Sequence, residues 1–220
     1  MTGRSARFDV VGTMESVVVR PPPRENPMSL IEDRVADTDA PVLDVLAARW
    51  STRLYDDVAP IDEAALASAL EAARWAPSAF NLQPWRFVVA RRGSATHEKV
   101  VSTLVDFNKA WAGPAGALIV FVAQTENDGK PVPTALYDLG QAAAHFTVQA
   151  HADGLYTHQM TGFDASALAD VLGIESPLVP LTVMAVGDLG DVDGAPAAVR
   201  ERELSPRTRR PVTESVVVDD

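Results

Sequence analysis

Cysteine is absent from the 220-residue chain, which removes disulfides, thiolate metal sites and thiol catalysis together. Positive charge is scarce: 19 lysines and arginines face 30 aspartates and glutamates, a formal net charge of −11. Such a surface repels nucleic-acid phosphates, so no nucleic-acid partner is expected, and any anion the protein binds needs locally concentrated cations. The four histidines, His97, His145, His151 and His158, form no pair at a spacing backed by a carboxylate metal motif, so no metal site is expected. No apolar run reaches the roughly 18 residues of a membrane span, and Met1 to Gly12 lacks the apolar stretch of about 7–15 residues that a signal peptide requires. No membrane partner and a cytoplasmic location are the expectations. The GxGxxG phosphate fingerprint is also missing, since Gly187-Asp188-Leu189-Gly190-Asp191 has the wrong spacing, which argues against a separate dinucleotide domain.

What is present suits a folded protein, with 47% hydrophobic and 22% charged residues, near the ordinary globular balance of about 45–50% and 25%. The length fits one compact domain plus tails. Residues 1 to 40 differ from the rest, with Pro21-Pro22-Pro23 and an acidic stretch from Glu32 to Asp39; such a segment buries too little apolar surface to offset chain entropy and reads as a flexible extension. Residues 41–220 read as a single domain. Asp39 is placed to cap a helix over Val42 to Ala48, with Pro41 in its first turn. A helix from Asp62 to Ala76 puts Leu66, Ala69, Leu70 and Ala73 on one face and stops at Pro77. Trp85 to Ala90 reads as a strand, Thr96 to Phe107 as helical, and Ala117 to Ala123 as a buried strand. A long helix spans Pro133 to Asp153 and ends at Gly154; Asp164 caps another through Leu172, stopped by Gly173; Thr182 to Gly187 is a further buried strand. This order predicts an α+β (α/β-like) fold, helices flanking a central sheet. Glu15-Ser16-Val17-Val18-Val19 recurs as Glu214-Ser215-Val216-Val217-Val218, and the C-terminal copy suits an edge strand in need of a partner.

Three segments carry chemistry. Arg49-Trp50-Ser51-Thr52-Arg53 and Arg207-Thr208-Arg209-Arg210 concentrate scarce cations; paired guanidiniums can fork onto a phosphate, although solvated helix ends and tail would account for the same spacing. Ala76-Pro77-Ser78-Ala79-Phe80-Asn81-Leu82-Gln83-Pro84-Trp85 offers hydroxyl and amide groups on a short loop, suited to neutral hydrogen bonding, or a plain helix stop. Met160-Thr161-Gly162-Phe163-Asp164 places a glycine, which permits close backbone approach to a flat ligand, before a helix start, where it could also be a simple connection. Of the tryptophans near these segments, Trp85 reads as core, and Trp111 could be either core or site.

Together, in this order, these segments resemble the nitroreductase family over Val42 to Val218, joined by Asn108-x-x-Trp111 and Asp138-Leu139-Gly140. The resemblance implies a central mixed sheet flanked by helices, a C-terminal strand extending to the partner subunit, and a homodimer with FMN between subunits. It assigns Arg49, Ser51, Arg207 and Arg209 to the FMN phosphate and ribityl end, Arg53 and Asn108 to the flavin's pyrimidine edge, and the backbone at Thr161 and Gly162 to flavin N5. Ser78, Asn81 and Gln83 would reach across from the partner, and Trp50, Pro77 and Met160 complete the cofactor-binding set. NADH or NADPH would reduce the flavin and leave before a nitro compound, quinone or other electron-poor acceptor enters, a ping-pong sequence in which the cofactor performs the redox chemistry and no catalytic side chain is named. Threonine stands at 161 where many relatives have glutamate, and Gln124 to Pro133 is short where longer relatives insert pocket-covering helices. Specialised branches that dehalogenate, saturate one substrate (ene-reductases) or consume the flavin, and a flavin-binding protein without turnover, are the alternatives.

Overall fold

The computed structural model describes residues 34–218. In chain order the elements are helices α1 (Asp44–Ala48) and α2 (Glu63–Arg74), strand β1 (Trp85–Arg91), helices α3 (Ala95–Thr103) and α4 (Asp106–Ala112), strands β2 (Ala117–Gln124), β3 (Glu126–Asn127) and β4 (Lys130–Pro131), helix α5 (Ala135–Ala152), strand β5 (Tyr156–Met160), helix α6 (Ala165–Leu172), strand β6 (Leu178–Gly187) and helix α7 (Ala197–Leu204). The main sheet runs β1-β2-β6-β5.

Every pairing in that sheet is antiparallel, so the described chain corrects the expected mixed sheet. A parallel neighbour needs a long crossover, and each of these pairings is formed between strands running in opposite senses. Strand β2 lies in the interior, and the two-residue period of a strand splits its side chains between two cores. Ala117, Ile119, Phe121 and Ala123 pack with Leu66, Ala69 and Ala73 of α2 and with Leu139, Ala142 and Phe146 of α5. Leu118, Val120 and Val122 pack on the other face with Val100, Trp111 and Leu168. Burying each large side chain here contributes roughly 1.5–3 kcal/mol.

Several elements form as their residues dictate. Asp62 accepts from the Ala64 and Ala65 amides at the start of α2, Asp164 accepts from Ala167 at the start of α6, and Gly173 ends that helix with φ 65°. Elsewhere the chain departs from expectation. Asp39 does not cap α1, whose N-cap is Leu43 without a side-chain bond. The helix expected over Thr96 to Phe107 breaks after Thr103, because Leu104 and Val105 are extended and Leu104 bridges to Phe163. Strand β6 begins four residues before Thr182, and Pro180 is accommodated next to a register shift opposite Phe121 and Val122. Strand β5, the β3–β4 hairpin and α7 were not anticipated. Residues Val212–Glu214 form a 3-10 turn, and the following residues to Val218 form no strand within the chain.

The flexible reading of the extension, and the first copy of the Glu-Ser-Val-Val-Val echo, fall outside the described residues as far as residue 33. From Arg34 the chain packs down, with the Ala36 amide donating to the Ala47 carbonyl at 2.9 Å. Among the described residues no helix is long and apolar enough to cross a membrane, and no group of three or more His, Asp or Glu side chains is placed to hold a metal.

Candidate functional site

Arg49 is the C-cap of α1, where the backbone turns extended and starts the run to Arg53. A buried carboxylate holds that run in place. Glu203 on α7, 4% exposed, accepts from the Trp50 indole N–H at 2.6 Å and from the Arg53 amide at 3.2 Å. Trp50 is itself buried and meets Tyr156 edge-on at 5.0 Å. Its ring is thus an anchor for the segment. The Thr52 carbonyl accepts from Nδ1 of His158 on β5 at 2.7 Å, a bond that requires the proton on Nδ1 and leaves Nε2 as an acceptor. Burial is the main cause that lowers the His158 pKa, which keeps the ring neutral near pH 7.

With the segment anchored, its arginines converge with those of the tail. Burial lowers the Arg49 pKa, and the Arg209 charge lowers it further. Arg207 is lowered by burial and then by Arg49, Arg34 and Arg209. His151 on α5 is lowered by burial, Arg49 and Arg207. Arg207 is locked into the fold by donation to the Ala47 carbonyl at 2.7 Å and to the Arg34 carbonyl, whereas Arg209 is exposed and donates to its neighbour's carbonyl. Like charges crowded on an acidic protein repel one another unless an anion joins them. Among the described residues the Nε atoms of Arg34, Arg49 and Arg53 are buried without a hydrogen-bond partner, so these guanidiniums keep donor capacity that the fold itself does not use. Ser51, exposed, lies between Arg49 and Arg53.

Arg53 extends the cluster toward a second group. Its guanidinium lies 5.8 Å from the Trp111 ring and 5.9 Å from that of Phe107. Trp111 packs against His158 at 4.3 Å and donates to Asn108 Oδ1 at 3.2 Å, while Asn108 Nδ2 donates to the Gly162 carbonyl at 3.0 Å. A Cβ on Gly162 would come within 2.5 Å of Asn108 Nδ2, so the glycine is there for close approach. Asn108 therefore orients the Met160-Thr161-Gly162 backbone, one acceptor and one donor of its amide being already engaged. Met160 and Thr161 line a cavity of about 300 Å³ together with Leu139, Gly140 and Ala143 of α5 and Gln159.

The third segment stands apart. Pro77 is exposed and Ser78 partly so; the Ser78 hydroxyl accepts from the Gln83 amide at 3.0 Å and Gln83 Nε2 donates to the Asn81 carbonyl at 3.2 Å. Phe80, Asn81 and Gln83 have φ of 52°, 55° and 49° on either side of a right-handed Leu82, left-handed positions that cost side-chain-bearing residues of order 1 kcal/mol each and persist only where the surroundings enforce them. Buried Asp138 on α5 is the enforcer, accepting from the Ala79 amide at 3.2 Å and the Thr134 hydroxyl at 3.0 Å. Phe80 at the tip is 96% exposed. Among the described residues no hydrogen bond or ring contact joins this loop to the arginine cluster.

The structure thus gathers Arg49, Arg53, Arg207 and Arg209, links them through His158 and Trp111 to Asn108 and Gly162, and leaves Ser78, Asn81 and Gln83 on a separate rigid loop. Glu203 and Arg34 were not anticipated. Glu203 sits in Arg-Glu-Arg-Glu, a run that reads as a solvated helix face, and nothing in the chain's linear order pairs it with Trp50.

The sequence pattern of the Nitroreductase family matches residues 46–105 and 94–188. An uncharacterised 15.4 kDa protein of Mycolicibacterium smegmatis, from the ask 5′ region, is 36% identical over 131 residues, 56% of this chain and 88% of its own length. The Bacillus subtilis (strain 168) protein YdgI, named as a candidate NAD(P)H nitroreductase, is 24% identical over 187 residues, 68% of this chain and 88% of YdgI. A solved structure described as an oxidoreductase containing FMN is 32% identical with a TM-score of 0.76, covering 82% of this chain and 92% of the other. A Desulfovibrio desulfuricans structure, described as a candidate nitroreductase in complex with FMN, shares the fold at 22% identity and a TM-score of 0.68, covering 83% of this chain and 99% of that one. With the family's pattern matched across most of the chain and laid onto this arginine-lined fold, the protein belongs to the nitroreductase family.

Proposed function

We propose that this protein is an FMN-dependent NAD(P)H oxidoreductase that works as a homodimer and reduces nitro compounds, quinones or other electron-poor acceptors in two alternating half-reactions. The observation that carries this reading is the convergence of Arg49, Arg207 and Arg209, cations from opposite ends of an acidic chain whose charges press on one another. The 32% identical relative is described as containing FMN, and YdgI is named for NAD(P)H.

When bound, FMN supplies hydride acceptance and donation at N5, chemistry that no side chain of this protein can perform. The chain's own residues bind and orient. Arg49 and Arg209, with Ser51 of the first cluster, would hold the phosphate, and Arg207 fixes the tail that carries Arg209. Arg53 would supply a guanidinium to the pyrimidine edge, able to stabilise negative charge there, and the spare N–H of Asn108 would serve that same edge. The Thr161 and Gly162 backbone, set by Asn108, would be the segment offered to flavin N5. The loop of Pro77, Ser78, Asn81 and Gln83 serves the partner subunit's flavin, which accounts for a strained tip that no described residue of its own chain covers. Val217, 95% exposed, belongs to a tail that pairs with that partner. The Gln124 to Pro133 connection is a short hairpin, too small to form the dedicated lid of a specialised branch.

Arg49→Ala combined with Arg209→Ala releases FMN while near-ultraviolet circular dichroism stays native; tight flavin retention in the double variant overturns the phosphate assignment. Anaerobic NADH or NADPH bleaches the oxidised flavin band, and an unchanged band identifies a flavin-binding protein without turnover. Light scattering gives a dimer; a monomer that retains one FMN refutes the cross-subunit roles of Ser78 and Asn81.

A further inference from the structure

Arg34 lies ahead of the family-matched segment, in the stretch that composition alone reads as extension, yet the fold fastens it to the arginine cluster. Its guanidinium lies 5.2 Å from the Trp50 ring and Nη1 donates to the Ser205 carbonyl at 3.3 Å. Its own carbonyl accepts from Arg207, and two residues on, the Ala36 amide is tied to Ala47. These bonds connect residues 34–36 both to the end of α1 that leads into Arg49 and to the arginine tail. Arg34 and Arg207 line a cavity of about 440 Å³ together with Asp37 and Ser205. Glu203 attracts the Arg34 charge, but both of its oxygens already accept hydrogen bonds from Trp50 and Arg53. Among the described residues Arg34 Nε has no hydrogen-bond partner, and the Arg34 charge adds to those that depress Arg207.

We propose that Arg34 is a further ligand of the anion held by Arg49 and Arg209, and that the segment from Arg34 to Asp37 is a clasp over the phosphate end of the site. This rests on the phosphate reading given above. One guanidinium set against a dianion by a charge-assisted hydrogen bond is worth about tenfold in affinity.

The test uses the full-length protein freed of flavin and titrated separately with FMN and with riboflavin, which lacks the phosphate. Arg34→Gln is expected to raise the Kd for FMN about tenfold, leave that for riboflavin within about twofold, and flatten the salt dependence of FMN binding; Arg34→Lys recovers part of the loss. A merely structural anchor on Trp50 would weaken both ligands equally and lower the melting temperature of the flavin-free protein. Equal losses, or none, overturn the role of Arg34. Arg209→Gln, titrated in parallel, separates the two readings. If it too leaves the FMN-to-riboflavin ratio unchanged, the phosphate site itself is refuted and Arg34's role with it; if its ratio falls while that of Arg34→Gln does not, only the clasp is lost.

Discussion

Replacing Gly162 with alanine tests how the second half of the site is built. The backbone there is outside the left-handed region, so alanine carries no conformational penalty of its own and the whole effect is steric. The new Cβ falls 2.5 Å from Asn108 Nδ2 and 3.1 Å from Val105 Cγ2. Asn108 cannot simply swing aside, because its oxygen accepts from Trp111 and its nitrogen donates to Gly162. Displacing it forfeits two hydrogen bonds, each worth about 1 kcal/mol net, and crowding adds about 1–3 kcal/mol. A loss of about 3–5 kcal/mol in urea-unfolding stability is therefore expected, with an altered near-ultraviolet signal from Trp111. In an Asn108→Ala background the obstruction is gone, and the cost of Gly162→Ala should fall by at least about 1 kcal/mol, the coupling expected of groups in contact. A penalty equal in both backgrounds, or below about 0.5 kcal/mol in the first, would refute the claim that Asn108 positions this backbone.

Two further outcomes follow from buried polar groups. Glu203→Ala strands the Trp50 indole N–H and the Arg53 amide and should cost about 2–4 kcal/mol; Glu203→Gln, which keeps one acceptor, should cost less, and equal melting temperatures for Glu203→Ala and the parent would remove Glu203 from its anchoring role. Burial lowers the pKa of His97, His151 and His158 below 6.5, so the unfolded chain binds more protons than the folded one in the window just below that value. Stability is then fully present above about pH 6.5 and falls as these rings are forced to charge on acidification; a urea midpoint for the flavin-free protein that stays flat or rises between pH 7 and 5.5 would contradict the burial of all three.

Legibility in the sequence followed how local the governing physics is. Asp62, Asp164 and Gly173 act within one helical turn, so the start of α2 and both ends of α6 could be read from residue type and spacing. Ala117 to Ala123 read as a buried strand because both faces are covered and no polar residue interrupts it. The break between α3 and α4 was hidden because Leu104 and Val105 fit a helical pattern; only the pairing of Leu104 with Phe163 makes the extended form the better one. Strand β5 was hidden by Thr157, His158 and Gln159, polar residues whose place in the sheet is bought by the neighbouring β6. Asn108 was recognised through its motif as a site residue, but its bond to the Gly162 carbonyl depends on two segments 54 positions apart.

Composition by itself determined that scarce cations had to be concentrated if an anion was to be held, and the order of short motifs determined the family, because both are properties of the chain read along its length. Tertiary structure alone decided that Arg34, Arg49, Arg207 and Arg209 share one neighbourhood, that Glu203 anchors the segment between Arg49 and Arg53, and that among the described residues the loop tipped by Phe80 makes no hydrogen bond or ring contact with that cluster. These are relations among residues up to 173 positions apart. They are set by how α7 and the tail meet the end of α1, and burial and like-charge repulsion act through that space rather than along the backbone.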